Sequence, residues 1–312
     1  MNKTGIALFT YNRPEHTGQV LQGLMRNDID KLYVFSDGYR DERDRITVQQ
    51  VRKLLANITW CETEIIESDT NKGLADSIVY GVNYVLDRHE RIIVLEDDCV
   101  PSADFVSFMQ KCFDKYEYNE QIMNVAGYSL PIKIPQSYPY DIYFSYRPSS
   151  WGWGTWRRAW HHFSRDKAIL DEIRNSKELH KKVNQAGEDL VPMLERQIRG
   201  AIDSWAVFFA LSIIKNDGLC VVPVHSRIKN IGHDASGTHC GANQKYNVEL
   251  YKETIGNPVL PDEVVIDDQI IHRIRQFCSP TMSEKVINFI VQVLQPIGIY
   301  ELFRWTRTHF KA

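Results

Sequence analysis

Through the first 130 residues, short apolar runs alternate with longer amphipathic ones. GIALFT (5–10), KLYVFSDG (31–38), TEIIES (63–68), IIVL (92–95) and IMNVAGY (122–128) read as strands, and IIVL has the pattern of one buried on both faces. Between them the spacing predicts helices over 14–24, 42–56, 71–87 and 102–117. Pro14 suits the first turn of its helix, Ser102 reads as an N-cap, and apolar residues recur at 74, 78, 82, 85 and 86. Such alternation predicts an α/β fold, a mostly parallel sheet with helices on both faces.

After residue 130 the rhythm breaks. Proline and tyrosine dominate 131–148, and SSWGWGTWRRAWHHF (149–163) holds four of the seven tryptophans within ten residues. A charged helical stretch spans 164–201, a helix closed by Gly218 spans 202–218, LCVVPV (219–224) reads as a strand, and 231–241 is a Gly- and His-rich loop. The reading is one body in two halves, 1–130 and 131–280, followed by a C-terminal helical, amphipathic extension over 281–312.

Composition narrows the function classes. The chain is 43% hydrophobic and 25% charged with a net charge of −3, which gives no basic face for nucleic acid. Its six cysteines are scattered without a C-x-x-C pair, as expected of free thiols in a reducing compartment. MNKTGIALFTYNRP is too short an apolar start for a signal peptide, and no run of about 18–20 apolar residues suggests a membrane span. Two N-x-[ST] matches, at Asn2 and Asn57, are read as chance. The expectation is a cytoplasmic protein, peripheral at most on the inner face of the membrane.

Three strands end in polar residues: Thr10-Tyr11-Asn12-Arg13, Ser36-Asp37-Gly38 and Glu96-Asp97-Asp98. Open α/β sheets bind ligands at the C-terminal ends of their strands, so these ends predict one nucleotide-sized crevice. Three carboxylates directly after a buried strand oppose their own burial by repulsion and desolvation. A divalent cation shared with a diphosphate would relieve that, though acidic residues also merely complement the dipole of a following helix. Thr10, Asn12 and Arg13 suit a nucleotide, with Asp37 on its base or ribose; Asn12 also fits a simple helix cap. Lys72 and Asp76, at a helix start, suit ribose or phosphate. Trp151 and Trp153, interleaved with glycines, suit an acceptor or donor sugar face, whereas Trp156 and Trp160 sit at helical spacing and read equally as core.

IIVLEDDCVPSADFVSFM, FTYNRPEHTGQVLQGL, NKGLADSI, WGWGTWRRAW, IDSW and NIGHDASGTHC, in this chain's arrangement, resemble the GT-A-fold (Rossmann-like) glycosyltransferases. The likeness covers residues 4–241 and is nearest the animal N-acetylglucosaminyltransferase I family and bacterial sugar transferases of polysaccharide gene clusters. It implies transfer from a nucleotide-sugar donor, UDP by preference, to a glycan or lipid-linked acceptor, with a manganese or magnesium ion. Asp98 would hold the metal, and Glu96 and Asp97 would orient ribose, sugar hydroxyls or basic neighbours. Asp203, before Trp205, would be the base of an inverting reaction; the mammalian pattern has two adjacent aspartates where this chain has Asp203-Ser204. Its other reading is N-cap of the helix that follows, and Glu188 and Asp189 are the nearest substitutes. His239, or His233, would contact metal or diphosphate.

The tail over 285–311 carries four basic residues and one acidic, suiting anionic lipid, a helix packed on the body, or a dimer contact. Two rivals remain. A sugar-phosphate nucleotidyltransferase would want a Gly-rich, basic signature that FTYNRPEH lacks; a non-catalytic sugar-binding protein would bind without turnover.

Overall fold

The computed structural model describes residues 3–233, 244–252 and 256–280. Its first half follows the predicted alternation: β1 (Thr4–Thr10), α1 (Pro14–Leu24), β2 (Lys31–Ser36), α2 (Glu42–Ala56), β3 (Glu62–Glu67), α3 (Leu74–Leu86), β4 (Arg91–Glu96), β5 (Cys99–Pro101), α4 (Phe105–Lys115) and β6 (Ile122–Ala126). The second half adds β7 (Ile142–Ser145), β8 (Trp153–Trp156), α5 (Arg157–Trp160), α6 (Ile169–Asn175), α7 (Lys177–Ala186), α8 (Leu190–Ile198), α9 (Trp205–Lys215), β9 (Leu219–Pro223), β10 (Ile228–Asn230) and α10 (Asp268–Cys278).

Eight strands form one sheet in the order β3-β2-β1-β4-β8-β6-β9-β7, and β5 pairs with β10 in a separate ribbon. Pairing is parallel from β3 to β4 and again between β6 and β9; β8 and β7 run antiparallel to their neighbours. The structure is therefore α/β with a large, mostly parallel sheet flanked by helices. Alternate residues of each central strand supply the two faces. Ile6, Leu8, Val34, Ile93 and Leu95 pack under α1, α2 and α4. Ala7, Phe9, Phe35, Ile92 and Val94 pack under α3 and α9. Helices α6, α7 and α8 bury a third cluster, with Ile173, Val183 and Leu194, against the outer side of α9.

Several local expectations change. The stretch 164–201 is three short helices rather than one run. Residues 153–156 are a strand inserted between β4 and β6, which buries Trp153 completely. Ser102 lies ahead of α4, its hydroxyl bonded to Asp104; the amide of Val106 is taken instead by Asn27 (2.9 Å). The extension over 281–312 lies outside the described residues. Among those residues no helix is long and apolar enough to cross a membrane, and the described cysteines are free.

Candidate active site

Register brings the polar strand ends together. Phe9 pairs with Glu96 across β1 and β4, and Thr10 with Ser36 across β1 and β2. The residues that follow therefore emerge side by side at one sheet edge, where they floor a cavity of about 920 Å³. Trp151, Asp203, His233 and Tyr246, all from the second half, line it as well. That volume is at the upper end for a small-molecule site, enough for a nucleotide-linked substrate and a second ligand.

Glu96 ends β4, and Asp97 and Asp98 form the turn into β5. The side chains of Asp97 and Asp98 are 6% and 10% exposed, and the Arg13 guanidinium, itself 17% exposed, pairs with both. Arg13 Nη2 contacts Asp97 closely and lies 2.8 Å from Asp98 Oδ2. Asn230 Nδ2 donates to the other oxygen of Asp98 (3.2 Å), and the Tyr11 amide to Asp97 (3.3 Å). Burial opposes the charge of Arg13, but Asp97 and Asp98 outweigh it and keep the guanidinium ionised. Glu96 is held well above the usual carboxylate range, by burial first and then by Asp98 and Asp97. Burial also raises Asp97, with Arg13 pulling the other way.

Three carboxylates against one guanidinium leave the crevice floor acidic, a donor set that fits a divalent cation. Gly232 packs closely on Asp98, where a Cβ would collide with Oδ2. Next in the chain, the His233 ring stacks on Tyr246 (centroids 5.8 Å apart) and meets Trp151 edge-on. Both His233 ring nitrogens are buried and find no hydrogen-bond partner among the described residues. Yet no three His, Cys, Asp or Glu side chains converge into a metal cage among the described residues. A cation here would take Asp98 from the protein and most of its other ligands from a bound anion. His239 falls outside the described residues.

The other predicted site residues divide. Thr10 lines the crevice but gives its hydroxyl to the Phe35 carbonyl (3.3 Å). Asn12 lines it too; its amide donates to Asp44 (2.9 Å) and does not cap α1, where no side chain bonds the first turn. Asp37 lines the crevice as well. Its carboxylate accepts from Gly38 N (2.9 Å), Asn71 Nδ2 (3.0 Å), Lys72 N (2.9 Å) and Gly73 N (3.1 Å), so it fastens the loop before α3. Lys72 sits at the rim, its ammonium 4.3 Å above the Tyr80 ring. Asp76 does not line the cavity: one turn into α3 it points away and pairs with Arg165.

Asp203 lines the crevice, and its Oδ2 accepts the Ala75 amide at the start of α3 (3.1 Å). Gly73, at φ +81°, permits the approach; a Cβ there would stand 3.0 Å from that oxygen. The cap of α9 is Ser204, bonded to the Val207 amide, so Asp203 is not the cap of its own helix. Trp151 lines the cavity, edge-on to Tyr128 at 4.6 Å. Trp153 does not: it stacks on Trp205 in the core (4.6 Å), so it offers no sugar platform. Two features escape sequence reading. Arg147 grips Asp189 through two bonds of 2.7 and 2.8 Å on the cavity wall, and no local pattern links residues 42 apart. Tyr128 ends the run IMNVAGY, so its place at a strand end was the available signal.

No protein-family model and no curated protein matches the chain. Among solved structures it is similar to S. aureus TarS 1-349, with 14% identity and a TM-score of 0.41 over 72% of this chain and 59% of that one. It is also similar to the mannosyltransferase PcManGT from Pyrobaculum calidifontis, solved with GDP-Man and Mn2+, with 12% identity and a TM-score of 0.39 over 68% of each chain. Likenesses this distant do not carry either protein's chemistry to this chain, which spans 59% of the TarS structure.

Proposed function

We propose that this chain is an inverting glycosyltransferase, moving a sugar from a nucleoside-diphosphate donor, UDP by preference, to a glycan or lipid-linked acceptor. The observation that carries the reading is the buried, under-compensated acidic triplet on the floor of a crevice that Asp203 also lines. Asp98 and the donor's two phosphates would hold a divalent cation, manganese or magnesium, whose chemistry is to offset the charge that develops on the departing diphosphate. Lys72 at the rim faces the same anion, and Thr10 and Asn12 flank the nucleotide. Asp203, with one oxygen fixed by the Ala75 amide, uses the other to take the acceptor hydroxyl's proton. Attack then comes from the side opposite the leaving group and inverts the anomeric carbon. A base so placed contributes about 10²–10⁴-fold in rate. Trp151 offers the acceptor an aromatic face.

The test is a thermal melt of the chain with UDP, GDP, dTDP and CMP, with and without manganese, on wild type and Asp98→Ala. One nucleotide at about 100 times its Kd should add roughly 2.7 kcal/mol, a rise of about 5 °C, only with metal and only in wild type. No shift under any condition would reduce the triplet to an acidic strand end, and binding without turnover would favour a sugar-binding protein.

A further inference from the structure

One guanidinium atom carries the whole inference. Arg13 Nη2 serves both Asp97 and Asp98, and the oxygen it holds on Asp98 is Oδ2. The same oxygen lies close to Gly232, where a Cβ would collide with it. Its partner oxygen on Asp98 is already engaged by Asn230. A cation approaching Asp98 from the crevice therefore meets an oxygen already neutralised by Arg13. The two positive groups would compete for one carboxylate at short range in a partly buried site, where repulsion is screened far less than in water.

We propose that Arg13 is the resting counter-ion of the acidic triplet, which a divalent cation displaces from Asp98 only when a diphosphate arrives with it. The proposal rests on the transferase reading above. Without the anion, the cation gains one carboxylate and no cage, since no three-ligand cluster exists among the described residues. With the anion, the phosphate oxygens complete its shell, and Arg13 keeps Asp97 as an anchor after it leaves Asp98. The released guanidinium then stands beside the leaving diphosphate, where its charge is useful. Cation and nucleotide thus enter together, and the carboxylates are not left bare between turnovers.

The experiment is a titration of the full chain with manganese alone, following loss of the free ion's EPR signal, for wild type, Arg13→Met, Arg13→Lys and Arg13→Met with Asp98→Asn. Removing one positive charge beside the binding oxygen should tighten manganese binding about tenfold or more in Arg13→Met. The second substitution should abolish that gain. Arg13→Lys, whose ammonium reaches one carboxylate at a time, should gain less, about threefold, and serves as the test if Arg13→Met does not fold. Manganese affinity unchanged or weakened in both Arg13 variants would overturn the proposal, as would a gain that survives Asp98→Asn. If those variants still bind a nucleoside diphosphate with metal, the transferase reading stands without it. Failure of wild type to bind any nucleoside diphosphate removes both.

Discussion

In the proposed reaction Asp203 has two duties, and a pair of substitutions separates them. Its Oδ2 accepts the Ala75 amide of α3 from outside the helix, and the residue lines the crevice. Asparagine keeps an oxygen for the Ala75 amide but has no basicity. Asp203→Asn should therefore melt within about 1 °C of wild type and lose about 10²–10⁴-fold in turnover, measured with the donor identified by the nucleotide melt. Asp203→Ala should lose the same activity and also about 0.5–2 kcal/mol of stability, the usual value of a helix cap. Equal activity in Asp203→Asn and wild type would leave Asp203 as a cap only. At this scale the sequence was readable where polar residues end strands: the acidic triplet, Thr10, Asn12 and Arg13 all line the crevice. It was not readable where a side chain's partner lay far along the chain. Arg13 reaches Asp97 across 84 positions, and Asp37 spends its carboxylate on residues 71–73. Neither pairing leaves a local trace.

The elements of the first half were legible because β1, β2, β4 and β6 are buried on both faces, the edge strand β3 only in part, and each helix on one. Hydrophobic runs and helical spacing report those states directly. β8 was not, because four residues, Trp-Gly-Thr-Trp, carry no alternation that separates a central strand from an aromatic loop. The glycines beside those tryptophans prove to be packing devices. Gly152 takes φ +56° against Ile228, and a Cβ at Gly154 would stand 2.5 Å from Phe113 Cζ and 2.6 Å from the Ile92 carbonyl. β8 is thus pressed between β4 and the side chains beneath it with no room for a methyl group. Gly154→Ala should cost about 1–3 kcal/mol by overpacking, read as a lowered melting temperature. Trp153→Ala should cost about 3–5 kcal/mol, because it empties the stack with Trp205. Trp151→Ala, at the crevice, should weaken acceptor KM with far less effect on the melt. A Trp153→Ala variant as stable as wild type would contradict the core assignment.

For the whole molecule, the question is what holds the second half's residues over the first half's strand ends. Arg227 is fully buried and stands 3.6 Å from Asp104, itself 3% exposed. Its guanidinium lies between the rings of Phe108 (4.5 Å) and Tyr251 (4.3 Å). Its amide donates to Gly127, and its carbonyl accepts from Ser102. One residue thus ties the start of α4 to the segment after β9, immediately before β10 carries Asn230 to Asp98, with His233 following at the crevice. Burial pulls the Arg227 pKa down and Asp104 opposes it, and among the described residues Nε and Nη2 make no hydrogen bond. The pair therefore contributes position more than net stability. Arg227→Ala strips a buried carboxylate of its cation and should cost about 3–5 kcal/mol, together with the nucleotide-dependent melting shift. Arg227→Met with Asp104→Asn removes both charges while keeping most of the volume. It should recover most of the stability, since a buried ion pair replaced as a unit is often nearly neutral. Recovery of the melt without recovery of the nucleotide shift would show that the ion pair itself, and not only the filled space, sets where β10 delivers the second wall. A single Arg227→Ala variant as stable as wild type would show instead that the two halves are held by their shared sheet alone.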